Sequence, residues 1–356
     1  MAITEKNHYV PRLYLKNFTG TNGYLHRYRT LVSRDDIAPW KPLRPGGVAY
    51  QSHLYTSFAG GDESDEIERW LCKEFEDPAE EPIFKAINGL KLTKLDYTAL
   101  TRFAVAQSVR TPAFFVRNRP RWISEAEKQN KISLNRIKAK LEAGEKPREA
   151  EQNLPADVRK YYPLRVSRVP SDKEGMGALK VESVVGRGTW HFAMKHLLTS
   201  TVERLTFHKW TIIHPPDEME WFTSDDPVVL LNFRSVLDYG FEGGWGVPHT
   251  NIILPLSPQH LLFTQVGDRG PLRGSSLDEG TSQFLRKIIA EHAFRYIFAR
   301  KPLKDVEVMR RRIVDPGEVQ HESQEWQRWH HEQSGFERDF AVDPSDIERA
   351  RREALS

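Results

Sequence analysis

The hydrophobic periodicity of this chain changes part-way along, and that change restricts the fold more than any other feature. Between residues 64 and 205, apolar side chains recur at helical spacing, as Ile67 and Leu71 do. From residue 207 to residue 266, short apolar runs are instead separated by proline and glycine, which is typical of hairpins. The sequence therefore predicts an α+β protein, with a mostly antiparallel sheet from the C-terminal half flanked by helices.

Turn residues and helix caps set the expected bounds of the elements. Helices are predicted over residues 64–77, 82–90, 94–110, 122–142, 190–205 and 278–292. Strands are predicted over residues 24–28, 48–57, 207–214, 220–231, 250–256, 261–266 and 295–299. We expect Pro78 to end the first helix and Pro82 to begin the next, because proline has no N–H to donate inside a helix.

Residues 1–304 are predicted to form a single α+β domain that carries two charged segments. Residues 116–170 are expected to be a basic helical insertion, since residues 117–168 contain 14 Lys and Arg against seven Asp and Glu. This excess is typical of a solvated helix face or of a patch that contacts nucleic-acid phosphates. Residues 305–356 are expected to be a peripheral helical tail, with a net charge of −6 from residue 315 onward. We expect the tail to pack on the insertion or to mediate homo-oligomer formation.

Composition excludes several classes of protein. Hydrophobic residues make up 39% of the chain and aromatic residues 11%, which is enough for a core and excludes a fully disordered chain. Cys72 is the only cysteine, so a disulfide framework and a cysteine-based zinc site are excluded. The sequence has no run of about 18 apolar residues and no apolar signal segment at its start, so we expect a cytoplasmic protein without a membrane partner.

Several common catalytic signatures are missing from the sequence. It contains no Walker loop, no Gly-x-Gly-x-x-Gly after a strand, no His-Glu-x-x-His and no Gly-x-Ser-x-Gly. An active site would therefore have to be assembled from residues on separate elements.

His8 is the first candidate for chemistry. It lies in residues 7–12 (Asn-His-Tyr-Val-Pro-Arg), where aromatic and ring-constrained residues predict a tied-down segment rather than a frayed terminus. His8 is either a general base or metal ligand, or a packed histidine that hydrogen-bonds to backbone.

Gln107 and Arg110 are the next candidates, three residues apart and so on one face of the predicted helix 94–110. We expect both side chains near the edge of the core, where a partly buried arginine needs an anion. That anion is either a substrate phosphate or an internal carboxylate such as Glu68 or Asp225.

Carboxylates complete the set of candidates. Asp225 and Asp226 end a predicted strand, and carboxylates in such a position commonly hold a divalent metal. The same residues are also typical of a tight turn in which side chains bond the backbone. Glu68 lies on the first predicted helix, as either a functional acid or a solvated side chain.

Five short motifs follow one another between residues 7 and 300. They are His-Tyr-Val-Pro-Arg (8–12), Ile-Glu-Arg-Trp-Leu (67–71), Phe-Ala-Val-Ala-Gln-Ser-Val-Arg-Thr-Pro (103–112), Phe-Thr-Ser-Asp-Asp-Pro-Val (222–228) and Leu-Pro-Leu-Ser-Pro (254–258). Together they resemble a mainly bacterial family, domain of unknown function forty-two thirty-eight. Asp226 stands where that family often has asparagine, and the basic insertion and acidic tail lie outside the resemblance.

The resemblance implies one shared site, because the family's polar positions fall on His8, Glu68, Gln107, Arg110 and Asp225. We expect a metal-dependent hydrolase, a nuclease of a bacterial defence or toxin system. Glu68 and Asp225 would hold a divalent metal, Mg²⁺ or Mn²⁺, and His8 would act as base. Arg110, with Arg12 and Thr111, would bind the substrate phosphate. Gln107 would orient that phosphate, and the basic region 117–168 would contact nucleic acid.

Two other functions stay open. One is a non-catalytic sensor or binding module with a buried polar network, acting through self-association or a partner protein. The other is a nucleotide-modifying transferase, which needs a nucleotide-sized pocket beside His8 and Arg110. Solvent-open carboxylates within about 4–5 Å of each other would favour a metal site. A sealed pair of Arg110 with Glu68 or Asp225 would favour the network.

Overall fold

Helices and antiparallel sheets both contribute to the structure, which confirms the predicted α+β class. The computed structural model describes residues 3–59, 62–144, 164–170, 177–205 and 207–339. Within these ranges, two main sheets pack against helices from the first half of the chain and a long helix near its end.

Short strands occur along the whole described chain. They are β1 (Lys6–His8), β2 (Leu25–Arg29), β3 (Leu31–Val32), β4 (Trp40–Leu43), β5 (Tyr50–Ser52), β6 (Ser57–Ala59), β7 (Asp62–Ser64), β8 (Leu164–Pro170), β9 (Gly177–Ser183), β10 (Thr211–Ile213), β11 (Thr223–Ser224), β12 (Val229–Ser235), β13 (Asp238–Gly240), β14 (Asn251–Ser257), β15 (His260–Gln265), β16 (Tyr296–Ala299) and β17 (Ile313–Val314). The larger sheet has the order β10-β15-β14-β12-β13, with antiparallel neighbours throughout. All five of its strands come from the C-terminal half, as predicted.

The second sheet, in the order β11-β16-β2-β4, joins distant parts of the chain. Strand β2 pairs antiparallel with β16, so that Tyr28 lies opposite Ile297. Strand β11 pairs with the other edge of β16. The segment that leads into Asp225 is therefore held beside the late strand β16, which pairs on its other side with the N-terminal strand β2.

Helices cover much of the rest. They are α1 (Arg12–Leu15), α2 (Glu66–Leu71), α3 (Asp77–Ile87), α4 (Lys94–Val109), α5 (Pro112–Glu142), α6 (Arg187–His196), α7 (Val202–Leu205), α8 (Glu279–His292), α9 (Lys304–Met309) and α10 (Pro316–Asp339). Short 3₁₀ turns span Lys16–Phe18 and Pro45–Gly47, and π-helical turns at Cys72–Glu76 and Leu197–Thr201 join α2 to α3 and α6 to α7. Helix α4 begins with a capping box between Thr93 and Asp96, which fixes its start locally.

Prolines do not divide the helices as predicted. Pro78 lies in the first turn of α3, where a missing N–H costs no intrahelical bond, and Pro82 is buried inside that helix. Pro112 opens α5 in the same way, so the helix predicted from residue 122 begins at residue 112.

The basic insertion is only partly helical. Helix α5 covers its first part, but Leu164–Pro170 forms strand β8, which pairs with β9. The first four residues of this strand, Leu-Arg-Val-Ser, alternate apolar and polar side chains, which favours extended backbone. Residues 145–163, where the prediction also assumed helix, lie outside the described residues.

Two apolar clusters form the interior. The larger one draws on most of the helices and includes Phe103, Trp190 and Trp329, and the smaller one, with Trp221 and Ile288, lies between α8 and the sheets. Among the described residues, no helix combines the length and apolar character needed to cross a bilayer.

Helix α10 packs on the rest of the structure rather than extending into solvent. The ring of Trp329 is 5.1 Å from that of Phe115 on α5, which begins the insertion. Arg187 is fully buried and binds Glu337 through Nε and Nη2, at 3.0 and 2.7 Å. The tail contains α9, the short strand β17 and α10, and its last residues, 340–356, lie outside the described part.

Candidate functional site

Arg110 follows the last residue of α4 and is fully buried. Its Nη1 donates to Glu76 Oε1 at 2.5 Å, its Nη2 donates to the backbone carbonyl of His8 at 2.7 Å, and Glu68 Oε2 is 3.9 Å from Nη2. Burial opposes the charge, but the neighbouring Glu76 and Glu68 raise the pKa of Arg110 above its ordinary value. Internal carboxylates therefore neutralise this arginine. It is closed to a substrate phosphate, so the predicted substrate contact is replaced by an internal ion pair.

Glu68 lies beside this ion pair on α2. Its side chain is 19% exposed, but Oε2 is buried without a hydrogen-bond partner among the described residues. Burial raises the pKa of Glu68 to about 7, with the Arg110 charge opposing the shift and that of Glu76 adding to it. Glu68 is thus a carboxyl that titrates near neutral pH rather than a solvated side chain.

His8, on β1, packs its ring 5.5 Å from that of Tyr50. Burial, and then the charges of Arg12 and Arg110, lower the pKa of His8, while a hydrogen bond with the Gly46 backbone opposes the shift. Its Nε2 is buried and has no partner in the described part of the chain. A neutral imidazole in this state can accept a proton or bind a ligand. Arg12 itself is exposed at the start of α1.

Gln107 lies one helical turn before Arg110 and is fully buried. Neither its Oε1 nor its Nε2 has a hydrogen-bond partner among the described residues. Buried polar side chains are almost always bonded. Gln107 therefore keeps hydrogen-bonding capacity for a polar group on this side of α4.

Asp226 connects the start of α5 to the sheet. Its Oδ1 accepts from Thr111 Oγ1 at 3.0 Å, its Oδ2 pairs with Arg117 Nη1 at 2.6 Å, and its carbonyl accepts from His292 Nδ1 at 3.1 Å. The negative charge at this position, where the family often has asparagine, is thus matched by Arg117. Because the Thr111 hydroxyl is used inside this cluster, its predicted role as a substrate contact is replaced by a structural bond.

Asp225 is 3% exposed and fixes a distant segment of backbone. Its Oδ1 accepts from the N–H of Phe294 at 2.9 Å and its Oδ2 from that of Arg295 at 2.8 Å. Burial raises the pKa of Asp225 to about 7, although these N–H groups lower it. The side chain does bond backbone, as the turn interpretation expected, but the backbone is that of residues 294–295.

The structure does not bring Glu68 and Asp225 together. Glu68 lies against Arg110 and Glu76, whereas Asp225 lies against Asp226 and the segment before β16. These two carboxylates share no partner among the described residues. The predicted metal site built from them therefore has no geometric support.

A cavity of about 830 Å³ lies beside Asp225. Tyr9, Pro112 and Asp225 line it, and each comes from a different one of the motifs that carry the family resemblance. Side chains alternate along extended backbone, which places His8 on the Arg110 side and Tyr9 on the cavity side. The cavity is also lined by residues of the second sheet and of α10: Arg29, Tyr296, Glu322, Ser323, Trp326, Gln327, His330 and His331.

Arg29 and Tyr296 are cavity residues that the sequence motifs did not single out. They lie opposite each other on β2 and β16. Among the described residues, Arg29 Nε is buried without a hydrogen-bond partner, and Glu322, a carboxylate that lines the same cavity, pairs with Arg295 instead. Arg29 is thus available to an anion in the cavity, as Arg110 is not. Only the pairing of β2 with β16 reveals this, because the two strands are far apart in sequence.

The comparisons with known proteins agree with the motif resemblance. A family model described as protein of unknown function (DUF4238) matches residues 6–302. No curated protein and no solved structure matches the chain. The matched region contains both sheets and all the motifs, and it ends before α9 and α10. Because the match covers most of its length, the chain belongs to the family described as protein of unknown function (DUF4238).

Proposed function

We propose that this protein is a metal-dependent hydrolase that cleaves a phosphate ester in the cavity beside Asp225, and that it acts as a nuclease of a bacterial defence or toxin system. The observation that carries the proposal is the convergence of Tyr9, Pro112 and Asp225 on one cavity. Its volume of about 830 Å³ falls within the range of about 300–1,000 Å³ that is typical of small-molecule sites.

Asp225 is the general base in this proposal. A base works best when its pKa lies near the working pH, and burial raises the pKa of Asp225 to about 7. The N–H groups of Phe294 and Arg295 hold both carboxyl oxygens in place. A positioned carboxylate can accept the proton of an attacking water.

Arg29 binds the phosphate in this proposal, in place of Arg110. A guanidinium matches two phosphate oxygens at once, and the Nε of Arg29 has no hydrogen-bond partner among the described residues. The Arg110 network has a positioning role, because it fixes β1 and α2 against α4 and so holds Tyr9 and Pro112 at the cavity wall. A divalent metal ion is the expected cofactor, and the basic region 117–168 is the expected nucleic-acid contact.

A cleavage assay tests the proposal. Purified protein is incubated with plasmid, single-stranded DNA and total RNA, each with Mg²⁺, Mn²⁺, Zn²⁺ or EDTA. We expect metal-dependent cleavage whose rate rises as the pH passes about 7, where Asp225 ionises. Asp225→Asn should abolish it and Arg29→Gln should weaken it. The exposed Arg34 lies outside the cavity, so Arg34→Gln should cleave like the wild type.

Two results would contradict this proposal. One is cleavage that persists in Asp225→Asn. The other is a folded wild type that binds these nucleic acids, by fluorescence anisotropy, yet leaves them intact with every metal.

The second result would support the other candidate function, a non-catalytic sensor or binding module. The sealed pairing of Arg110 with Glu76 and Glu68 favours that candidate, because such a network maintains a fold without chemistry. Self-association through the tail is part of this second proposal. Sedimentation of the full chain, with and without nucleic acid, tests it.

A further inference from the structure

We propose that His53, Glu63 and His330 together bind one Zn²⁺ ion at the edge of the cavity. Each of these side chains offers one ligand atom, and the three atoms lie within 4.8 Å of one another. Nε2 of His330 is 3.0 Å from Oε1 of Glu63, and the imidazole rings of His53 and His330 stack with their centres 3.8 Å apart, so one ring would have to turn for both to bind the same ion. Among the described residues, this is the one group of at least three His, Cys, Asp or Glu side chains whose ligand atoms lie close enough together to share an ion.

Hydrogen bonds behind the rings support a ligand role. Thr56 Oγ1 lies 3.2 Å from Nδ1 of His53, and Ser334 Oγ lies 3.4 Å from Nδ1 of His330. A partner on one ring nitrogen fixes the orientation of a metal-binding histidine and leaves the other nitrogen to the ion. Both histidines therefore keep Nε2 for coordination.

The donor set indicates zinc rather than magnesium. Two imidazoles and one carboxylate suit Zn²⁺, whereas Mg²⁺ prefers oxygen ligands and retains its waters. Arg338 Nη2 is 3.9 Å from Glu63 Oε1, but its side chain is largely exposed and can move into solvent when a cation binds. Arg187, the other nearby cation, is neutralised by Glu337.

Three protein ligands leave a coordination position open, as in catalytic rather than purely structural zinc sites. His53 and His330 both line the cavity that contains Asp225. The bound Zn²⁺ would be the metal of the proposed hydrolase, so a catalytic role for this site rests on the proposed function. Metal binding itself does not depend on that function.

The ligands come from two parts of the chain. His53 and Glu63 lie within residues 6–302, which the family model matches, whereas His330 lies on α10 beyond that region. Zn²⁺ would thus connect α10 to the family domain, and its removal should loosen this helix.

Titration with Zn²⁺ alone tests the inference. Metal-free full-length protein is titrated in competition with a chromophoric chelator, and far-UV circular dichroism verifies that each variant is folded. We expect one Zn²⁺ per wild-type chain and loss of that site in His330→Ala and Glu63→Gln. His331→Ala is the matched control, because His331 is the next residue on α10 and also lines the cavity. Thr56→Val should weaken binding about 10- to 100-fold by freeing the His53 ring.

The melting temperature of the same proteins is the second readout. Zn²⁺ should raise it in the wild type and in His331→Ala but not in His330→Ala, since only a ligand that binds the folded state stabilises it. A wild type that binds no Zn²⁺, or equal binding by His330→Ala and wild type, would overturn the inference. Zn²⁺ binding without nucleic-acid cleavage would support the metal site and would contradict only the proposed hydrolase function.

Discussion

At the scale of single residues, the buried charges around Arg110 connect segments that are far apart in the sequence. The guanidinium bridges Glu76, which follows α2, and the His8 carbonyl on β1. Each partner comes from a different part of the chain, so one arginine fixes three segments against each other. A buried ion pair adds little net stability, but removal of one member is costly because the other charge is left alone.

Replacement of Arg110 by methionine should therefore lower the free energy of unfolding by about 3–5 kcal/mol. Arg110→Lys should be intermediate, because lysine keeps the charge but lacks the planar fork that reaches two acceptors. Urea unfolding followed by fluorescence measures both variants. Arg69 forms an exposed pair with Asp65, so Arg69→Met should cost less than about 1 kcal/mol. A fully stable Arg110→Met would show that this residue serves a ligand rather than the fold.

Because of Glu68, the free energy of unfolding should depend on pH, and comparison with Glu68→Gln isolates this dependence. Burial raises its pKa from 4.5 to about 7, so the folded state holds the proton more tightly than the unfolded state. Protonated Glu68 therefore contributes to the free energy of unfolding in full at pH values below 4.5, its pKa in the unfolded chain. This contribution is lost as the pH rises through about 7. Between those values, wild-type stability should fall relative to Glu68→Gln by up to about 1.4 kcal/mol per pH unit.

Urea unfolding at pH 5, 6, 7 and 8 measures this difference. The exposed Glu80 lies on the neighbouring helix α3, and Glu80→Gln should follow the wild type at every pH. Parallel curves for Glu68→Gln and the wild type would show that Glu68 is ionised throughout.

At the scale of elements, helix α10 forms one wall of the cavity although it lies outside the region that the family model matches. Trp329 is the main apolar contact, against Phe115 of α5 and Trp190 of α6. The Arg187–Glu337 pair adds a buried polar contact near the end of the helix. A mostly polar helix thus docks through a few side chains, which makes its attachment sensitive to single substitutions.

Trp329→Ala should detach α10, at a cost of about 3–5 kcal/mol for the cavity that it leaves. Hydrogen exchange followed by mass spectrometry should show lost protection over Pro316–Asp339, while α4 keeps its own. Phe336 lies on the same helix but is 44% exposed, so Phe336→Ala should leave exchange unchanged. Unaltered protection in Trp329→Ala would mean that the ionic contacts alone hold the helix.

At the scale of the whole molecule, the two sheets do not divide the chain into separate folding units. Strand β2 pairs with β16, and the larger apolar cluster contains residues from Tyr9 to Trp329. Neither the N-terminal part nor the C-terminal part can therefore bury its apolar surface alone. Such a structure should unfold as one cooperative unit.

Thermal unfolding followed by far-UV circular dichroism and by tryptophan fluorescence should give coincident transitions. The nine tryptophans are spread over both clusters and α10, so fluorescence reports on the whole structure. In Trp329→Ala, an early fluorescence change from α10 should precede the main transition. Two separate transitions in the wild type would instead show that the insertion or the tail folds independently.

The sequence alone determined the fold class and most element positions, because their causes lie within a few residues. The capping box of Thr93 and Asp96 starts α4, Asp278 caps α8, and proline and glycine separate the strands of the larger sheet. Prolines misled the prediction where the first helical turn tolerates them, as at Pro112, and also inside α3, which continues through Pro82.

Tertiary structure alone decided which partner each polar residue has. Glu68 and Asp225 are the anions that the sequence suggests for Arg110, yet Glu76 makes the closest contact. Asp225 binds the N–H groups of residues 294–295, and its cavity includes Arg29 from β2. A local pattern indicates that a buried charge needs a counter-charge, but many carboxylates satisfy that need equally well. Only the packing of distant segments selects one, because Coulomb energy and burial depend on distances in space rather than along the chain.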